Sequence, residues 1–405
     1  MMTPAATDRP AAIDLAAATG LPAAIVAAVA DVLAGHPGPL ALHEPEFTGN
    51  EGRYVADCID TGWVSSVGSY VDRFERDLAA ATGCVAAVAT MNGTAALHVA
   101  LLLAGVVGGD EVLCPSLTFI ASANAISYAG ATPHFVDAEE GSLGVDAARL
   151  DAYLRRIAVV AGGVCVNRAS GAPIRALLVM HVFGHPCDLD ALIAVAAAWH
   201  LVLVEDAAES LGSNYHGIPT GGFGRVAALS FNGNKTITTG GGGAVVTNDT
   251  ALGRHAKHLT TTARVKHRWD FIHDEIGFNY RLPNLNAALG CAQLERLPSL
   301  LARKRTLAAR YAARFAAVLG VTFVAEPAGT TSNYWLNAIR LDAAAAGQRD
   351  AVLTALNDAG FMARPLWRPM HTLPIYAGAP RDALPVTESL SARIINLPSS
   401  AKLGA

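Results

Sequence analysis

Lys235 is the residue around which a chemical reading of this sequence assembles. It lies in Ser230-Phe-Asn-Gly-Asn-Lys-Thr-Ile-Thr-Thr-Gly-Gly-Gly-Gly243, an amine followed closely by four consecutive glycines. A phosphate loop of the GxxxxGK[ST] form is excluded, because Asn234 stands where that loop needs glycine. A dinucleotide-binding GxGxxG turn is excluded as well, since the glycines lead into an apolar strand, 244–247, and open no helix. What remains is a lysine at a strand end, beside a turn whose missing side chains let something flat approach the backbone. Taken alone, the pattern also fits a surface lysine next to a hairpin.

Upstream, Leu201-Val-Leu-Val-Glu-Asp-Ala-Ala-Glu-Ser210 reads as a buried strand ending at Asp206. A carboxylate at the C-terminal end of a parallel strand stands where open α/β sheets build their sites. Met91-Asn-Gly-Thr-Ala-Ala-Leu97 opens an apolar helix, with Thr94 as the expected cap and the N–H groups of Ala95 and Ala96 free for an anion such as phosphate. An anion site, a carboxylate for a ring nitrogen and an amine nucleophile together are the set that a pyridoxal 5'-phosphate (PLP) enzyme requires. An unperturbed lysine titrates near 10.4. Bringing one to about 7.5 takes roughly 4 kcal/mol from desolvation and neighbouring cations. Phe119, just past a predicted strand, is the candidate to pack on the ring face; plain core packing is its alternative.

The elements that must position these groups are legible in the apolar patterning. Strands are expected at 112–114, 134–137, 176–181, 201–205, 227–231 and 244–247, with helices at 95–104, 120–129 and 189–199 between them. That alternation implies an α/β fold: a large, mostly parallel sheet with helices on both faces. From about 286 the pattern changes to a long helix (285–319), a strand near 335–341, a helix near 349–360 and short pieces, a smaller α+β domain. The expected organisation is a helical extension over 1–38, with a helix at about 22–34, a large domain over 39–285 and a small C-terminal domain over 286–405.

Composition narrows the class further. Of 405 residues, 52% are apolar but only 6% aromatic and 16% charged, so the apolar excess is mostly alanine, suited to packed helices or a subunit interface. A net charge of −4 argues against a nucleic-acid partner, and no apolar stretch near the start reaches the ~20 residues of a membrane span. Six cysteines, none in CxxC spacing, fit reduced thiols in the cytoplasm. His181 and His185 have HxxxH spacing but straddle a strand end, so no metal site is expected.

The chain from about Pro39 to its end resembles the DegT/StrS-type sugar aminotransferases, members of the fold-type I PLP-dependent transferases. The residues carrying the likeness are Gly62-Trp-Val-Ser65, Asn92-Gly-Thr-Ala-Ala-Leu97, Thr118-Phe119, Glu205-Asp-Ala-Ala208, Ser230-Phe231 with Lys235, and Gly277-Phe-Asn-Tyr-Arg-Leu282. The resemblance implies that Lys235 is the Schiff-base lysine and Asp206 the pyridinium partner. It further implies that Phe119 stacks on the ring, that Gly93, Thr94, Ala95 and Ser230 surround the phosphate, and that Asn279 reaches across a homodimer to the neighbour's phosphate. Position 209 is Glu, where many members carry Gln or His near the cofactor's phenolic oxygen. The stretches 60–68, 230–243 and 258–262 are most similar to aminotransferases of the legionaminic-acid type. The activity so implied moves an amino group from L-glutamate to C4 of a nucleotide-linked 4-keto-6-deoxy, 2-acetamido sugar, on the way to a nonulosonic acid or related surface glycan. Trp63, Asn337, Arg364 and His371 are the candidate substrate contacts. A PLP-dependent sugar dehydratase is the first alternative, but those relatives replace the lysine with histidine. A non-catalytic protein on the same fold is the second, and the retained Lys235, Asp206 and phosphate residues oppose it.

Overall fold

The computed structural model describes residues 20–405; that part of the expected extension which precedes residue 20 lies outside the described residues. A seven-stranded sheet runs in the spatial order Ala86–Thr90, Gly243–Thr247, Val226–Ser230, Val202–Asp206, Ile174–Met180, Glu111–Pro115, Thr132–Val136. Gly243–Thr247 runs antiparallel to both of its neighbours and every other pairing that builds the sheet is parallel. The six expected strands are all present. The strand Ala86–Thr90 was not foreseen, because Ala-Ala-Val-Ala-Thr offers only small residues with no alternation to separate a strand from a helix.

Side chains alternate across the sheet. Val112, Cys114, Phe135, Leu178 and Val204 pack beneath the helices Gly93–Leu103, Ile120–Tyr128 and Thr250–Thr260. Leu113, Val136, Leu177 and Val179 face the helices Ala147–Ile157 and Leu189–Ala198 on the other side. The same side continues at the far end of the sheet, where Ala87, Leu229 and Val246 meet the helices Ser69–Thr82 and Asn284–Phe315. Burial on both faces explains why these strands read as near-continuous apolar runs.

A four-stranded antiparallel sheet follows, in the order Val321–Phe323, Asn337–Leu341, Ile394–Leu397, Arg364–Pro365. Asn284–Phe315 joins the two sheets: Ala287 and Cys291 pack on the large one, Leu307, Tyr311 and Phe315 on the small one. The expected N-terminal helix forms over Leu21–Val32, with Pro22 in its first turn. It buries Ile25, Val26, Ala28 and Val29 against the small sheet's core, so this part of the extension is docked. The other face of the small sheet, with Ala338, Leu366 and Ile394, packs on Leu117, Val182 and Phe183 from the carboxyl edge of the large sheet. The site lies along this seam. All six cysteines are buried with free thiols, and no described helix is long and apolar enough to cross a membrane.

Candidate active site

A cavity of about 780 Å³ opens where the small sheet meets the carboxyl ends of the large sheet's strands. It draws together Gly93, Thr94, Phe119, Asp206, Glu209, Ser230, Lys235 and Arg364, residues spread over more than half of the chain. Asp206 ends the strand Val202–Asp206 and is fully buried. Its Oδ2 accepts a hydrogen bond from Ser122 Oγ at 2.7 Å and its Oδ1 one from the Ala208 N–H at 3.2 Å. Burial pushes its carboxyl above the ordinary range, while Ser122, Ala208 and the charge of Lys235 pull the other way. A buried carboxylate still short of positive charge has what a protonated ring nitrogen needs.

Lys235 stands on the turn after the strand Val226–Ser230. Its Nζ lies 3.8 Å from the centre of the Trp335 ring and 3.3 Å from Glu209 Oε1. The Trp335 indole donates to the Asn234 carbonyl at 2.7 Å, which ties this turn to the segment leading into the strand Asn337–Leu341. The amine was expected beside cations; it instead pairs with Glu209, which carries the opposite charge. Glu209 Oε2 accepts from the Phe183 N–H at 2.9 Å, yet burial pushes its carboxyl up to about 7, against the pull of Lys235.

Between the ordinary value of 4.5 and about 7, the folded chain therefore keeps a proton on Glu209 that the unfolded chain has lost, and stability falls as pH rises through that window. Glu209→Gln is expected to raise the melting temperature of the ligand-free chain by an increment that grows between about pH 5 and pH 8. An increment independent of pH would contradict this assignment.

The phosphate end differs in detail from the sequence reading. Asn92, not Thr94, caps the helix Gly93–Leu103: its Oδ1 accepts from the Ala95 N–H at 2.8 Å and its carbonyl from the Ala96 N–H at 3.2 Å. Those two donors are spent, and Ala95 is not on the cavity wall. The Gly93 and Thr94 N–H groups, two residues earlier, have no acceptor among the described residues and open on the cavity with Ser230. A Cβ on Gly93 would come within 2.8 Å of Ser230 Cβ, so only glycine lets helix and strand end meet this closely. Free helix N–H groups, a serine hydroxyl, an amine and a buried carboxylate converge on one cavity, and they fit PLP. Phe119 is half exposed on the cavity wall, edge-on to Trp367 at 6.3 Å, where a flat ring could lie against it.

Other expected contacts fall elsewhere. Asn337 shares the buried side of its strand with Ile339 and Leu341, and its amide donates to Ser399 Oγ, so strand alternation turns it away from the cavity. His371 pins the small sheet's following segment to the large one through Ser116 Oγ at 2.8 Å. Trp63 is exposed, its carbonyl held by the Asn284 amide. Asn279 is exposed beside Arg281 and does not line its own chain's cavity. His181 bonds to Glu205 and Cys187, while His185 lies edge-on to Tyr334, so the two do not form a common ligand pair. Sequence reasoning missed His43, Trp335, Trp367, Arg368 and Asn396 on the cavity wall. They come from two ends of the chain, and no local motif marks them.

Residues 45–405 match the profile of the DegT/DnrJ/EryC1/StrS aminotransferase family. The chain is 37% identical over 360 residues to a GDP-perosamine synthase of Escherichia coli O157:H7, covering 89% of this chain and 93% of that one. It is 37% identical over 366 residues to the putative pyridoxal phosphate-dependent aminotransferase EpsN of Bacillus subtilis, covering 89% and 91%. Among solved structures it superposes on the aminotransferase TlmJ of Streptoalloteichus hindustanus with a TM-score of 0.79 and 29% identity, covering 89% and 93%.

Proposed function

Because this chain belongs to the DegT/DnrJ/EryC1/StrS aminotransferase family and is a PLP-dependent nucleotide-sugar aminotransferase, we propose that it moves the amino group of L-glutamate to C4 of a nucleotide-linked 4-keto-6-deoxy sugar. The observation that carries this reading is the convergence of Lys235, Asp206 and the free N-terminus of the helix Gly93–Leu103 on one cavity. PLP, when bound, supplies an aldehyde that captures amines and a ring that takes up electrons. The chain's own residues do the rest. Gly93, Thr94 and Ser230 would hold the phosphate, Phe119 would lie against one ring face, and Asp206 would keep the ring nitrogen protonated. Lys235 Nζ would hold the cofactor through its aldehyde, and it is placed to take the proton from the donor's Cα and to return one to sugar C4. Glu209 Oε1 lies 3.3 Å from that amine and steadies it.

Arg364 and Arg368 on the cavity wall suit the diphosphate or the donor's carboxylates, because a guanidinium binds paired oxygens. The position of Asn279 outside its own cavity agrees with service to a second subunit, and the reading includes a homodimer with shared sites. Six buried thiols agree with a cytoplasmic setting.

Similarity to proteins named GDP-perosamine synthase supports a GDP-linked sugar amine as product. The legionaminic-type stretches 60–68 and 258–262 support a 2-acetamido substrate instead. A panel of GDP- and UDP-linked 4-keto-6-deoxy sugars, with and without the acetamido group, decides between them. Formation of 2-oxoglutarate from glutamate is expected to depend on one class, with ping-pong kinetics. Turnover with pyruvate or oxaloacetate and with none of the nucleotide sugars would refute the substrate assignment while leaving the cofactor chemistry standing.

A further inference from the structure

Lys304 is fully buried in the long helix, and its amine meets three acceptors: the Ser399 carbonyl at 2.7 Å, the Trp335 carbonyl at 3.1 Å and His43 Nε2 at 3.0 Å. Burial pulls the ammonium down to about 7, so below that pH the three acceptors face a charged amine. An ammonium has three protons and no lone pair, so three acceptors satisfy it completely. His43 Nε2 then receives a hydrogen bond and carries no proton of its own. The ring stays neutral, since burial and the charges of Lys304 and Lys235 hold its pKa well below the ordinary value. Its one proton therefore sits on Nδ1.

That nitrogen is buried and has no partner among the described residues, and His43 lines the same cavity as Lys235. Asn396 Oδ1, also on the cavity wall, is likewise buried without a partner. Buried polar atoms are costly to leave unpaired, and a native site that keeps a donor and an acceptor in this state awaits a ligand offering the complements. Both groups are uncharged. A carboxylate or diphosphate is better served by Arg364 and Arg368, and the Asn396 oxygen would repel it.

Resting on the nucleotide-sugar reading above, we propose that His43 Nδ1–H and the Asn396 amide form a subsite for an uncharged substituent of the sugar, a hydroxyl or an acylamino group, with Lys304 fixing the tautomer that makes His43 a donor. His43 is thus a specificity-determining residue, and Lys304 a positioning residue that acts through it.

Three variants of the full-length, PLP-loaded enzyme test this. His43→Phe removes the donor, His43→Gln keeps an amide near the Nε2 position only, and His43→Asn keeps an amide N–H near the Nδ1 position. Each half-reaction is followed separately in single turnovers, with glutamate and then with the nucleotide sugar. For His43→Phe and His43→Gln, kcat/KM with the sugar is expected to fall roughly 3- to 10-fold further than with glutamate, the worth of one neutral hydrogen bond. His43→Asn is expected to recover part of that loss. A larger loss with a 2-acetamido sugar assigns the acylamino group, and a larger loss with a 2-hydroxy sugar assigns the hydroxyl. Independently of activity, ¹⁵N spectra of the histidine-labelled chain should show His43 protonated at Nδ1, assigned by its disappearance in His43→Gln. An Nε2–H tautomer, or equal losses in both half-reactions, would overturn the subsite. A parent enzyme that takes the amine from glutamate and passes it to no 4-keto nucleotide sugar would overturn the substrate reading itself, and the subsite with it.

Discussion

Lys235→Ala is expected to abolish turnover, with a loss of at least roughly 10³-fold, because the same amine binds the aldehyde and carries the proton. The parent protein should absorb in the visible when loaded with PLP, and borohydride should fix the label on the peptide containing Lys235. The variant should lose both signals while staying folded, since Lys235 reaches into the cavity and packs chiefly on the Trp335 face. Label on another lysine, or a variant with a tenth of the parental rate, would remove Lys235 from this role. The inactive subunit also probes the shared site. Mixed with Asn279→Asp, whose added carboxylate would repel a phosphate, it should restore part of the activity, since one site of each mixed dimer then holds both parental residues. Mixtures that form dimers and stay inactive would place Asn279 outside the partner's site.

The second large effect belongs to Asp206. Asp206→Asn is expected to retain bound cofactor but to lose roughly 10²- to 10³-fold in turnover, comparable to removing one preorganised electrostatic partner of a transition state. A neutral amide cannot hold a protonated ring nitrogen, and that proton makes the ring an electron sink. The stability of the ligand-free chain should move in the opposite direction. Burial raises the Asp206 carboxyl above its ordinary range, so above that range removing its charge relieves a burden on the fold. A variant both inactive and less stable near neutral pH would point to damaged packing, and one within fivefold of parental turnover would refute the electrostatic role.

The two residues were visible in the sequence for different reasons. Asp206 follows Glu205 and, before it, four apolar residues that read as a buried strand, so its place near the strand's end follows from the pattern. Lys235 has no such signature; the glycines after it and the exclusion of two nucleotide loops made it a candidate. The phosphate end was legible to within one turn. Asn-Gly-Thr offers two cap residues, and propensity alone does not choose between Asn92 and Thr94. The strand Thr90 side does: Asn92 is the last extended residue, so its side chain turns back on the Ala95 N–H. Asn337 was a reasonable substrate contact by type and lies one residue out of phase, because its strand alternates between a core face and a cavity face.

Sequence by itself determined what local chemistry encodes: six of the seven strands of the large sheet, the carboxylate at a strand end, the amine beside a glycine turn and the likeness that names the family. These are properties of neighbouring residues, and periodicity or spacing carries them. Only the tertiary structure decided which distant groups share one cavity. His43 comes from the segment before the large sheet, Trp335 from the stretch leading into the strand Asn337–Leu341 and Asn396 from the small sheet, while Lys304 of the long helix stands behind His43. Their meeting depends on how the small sheet docks on the large one, a matter of side-chain packing between segments hundreds of residues apart. The same packing replaced an expected cation beside Lys235 with the Glu209 carboxylate and turned His371 from a ligand contact into a structural tie. Burial supplied the rest: the same residue types titrate at ordinary values in water, and only enclosure by this fold moves Asp206, Glu209 and His43 away from them.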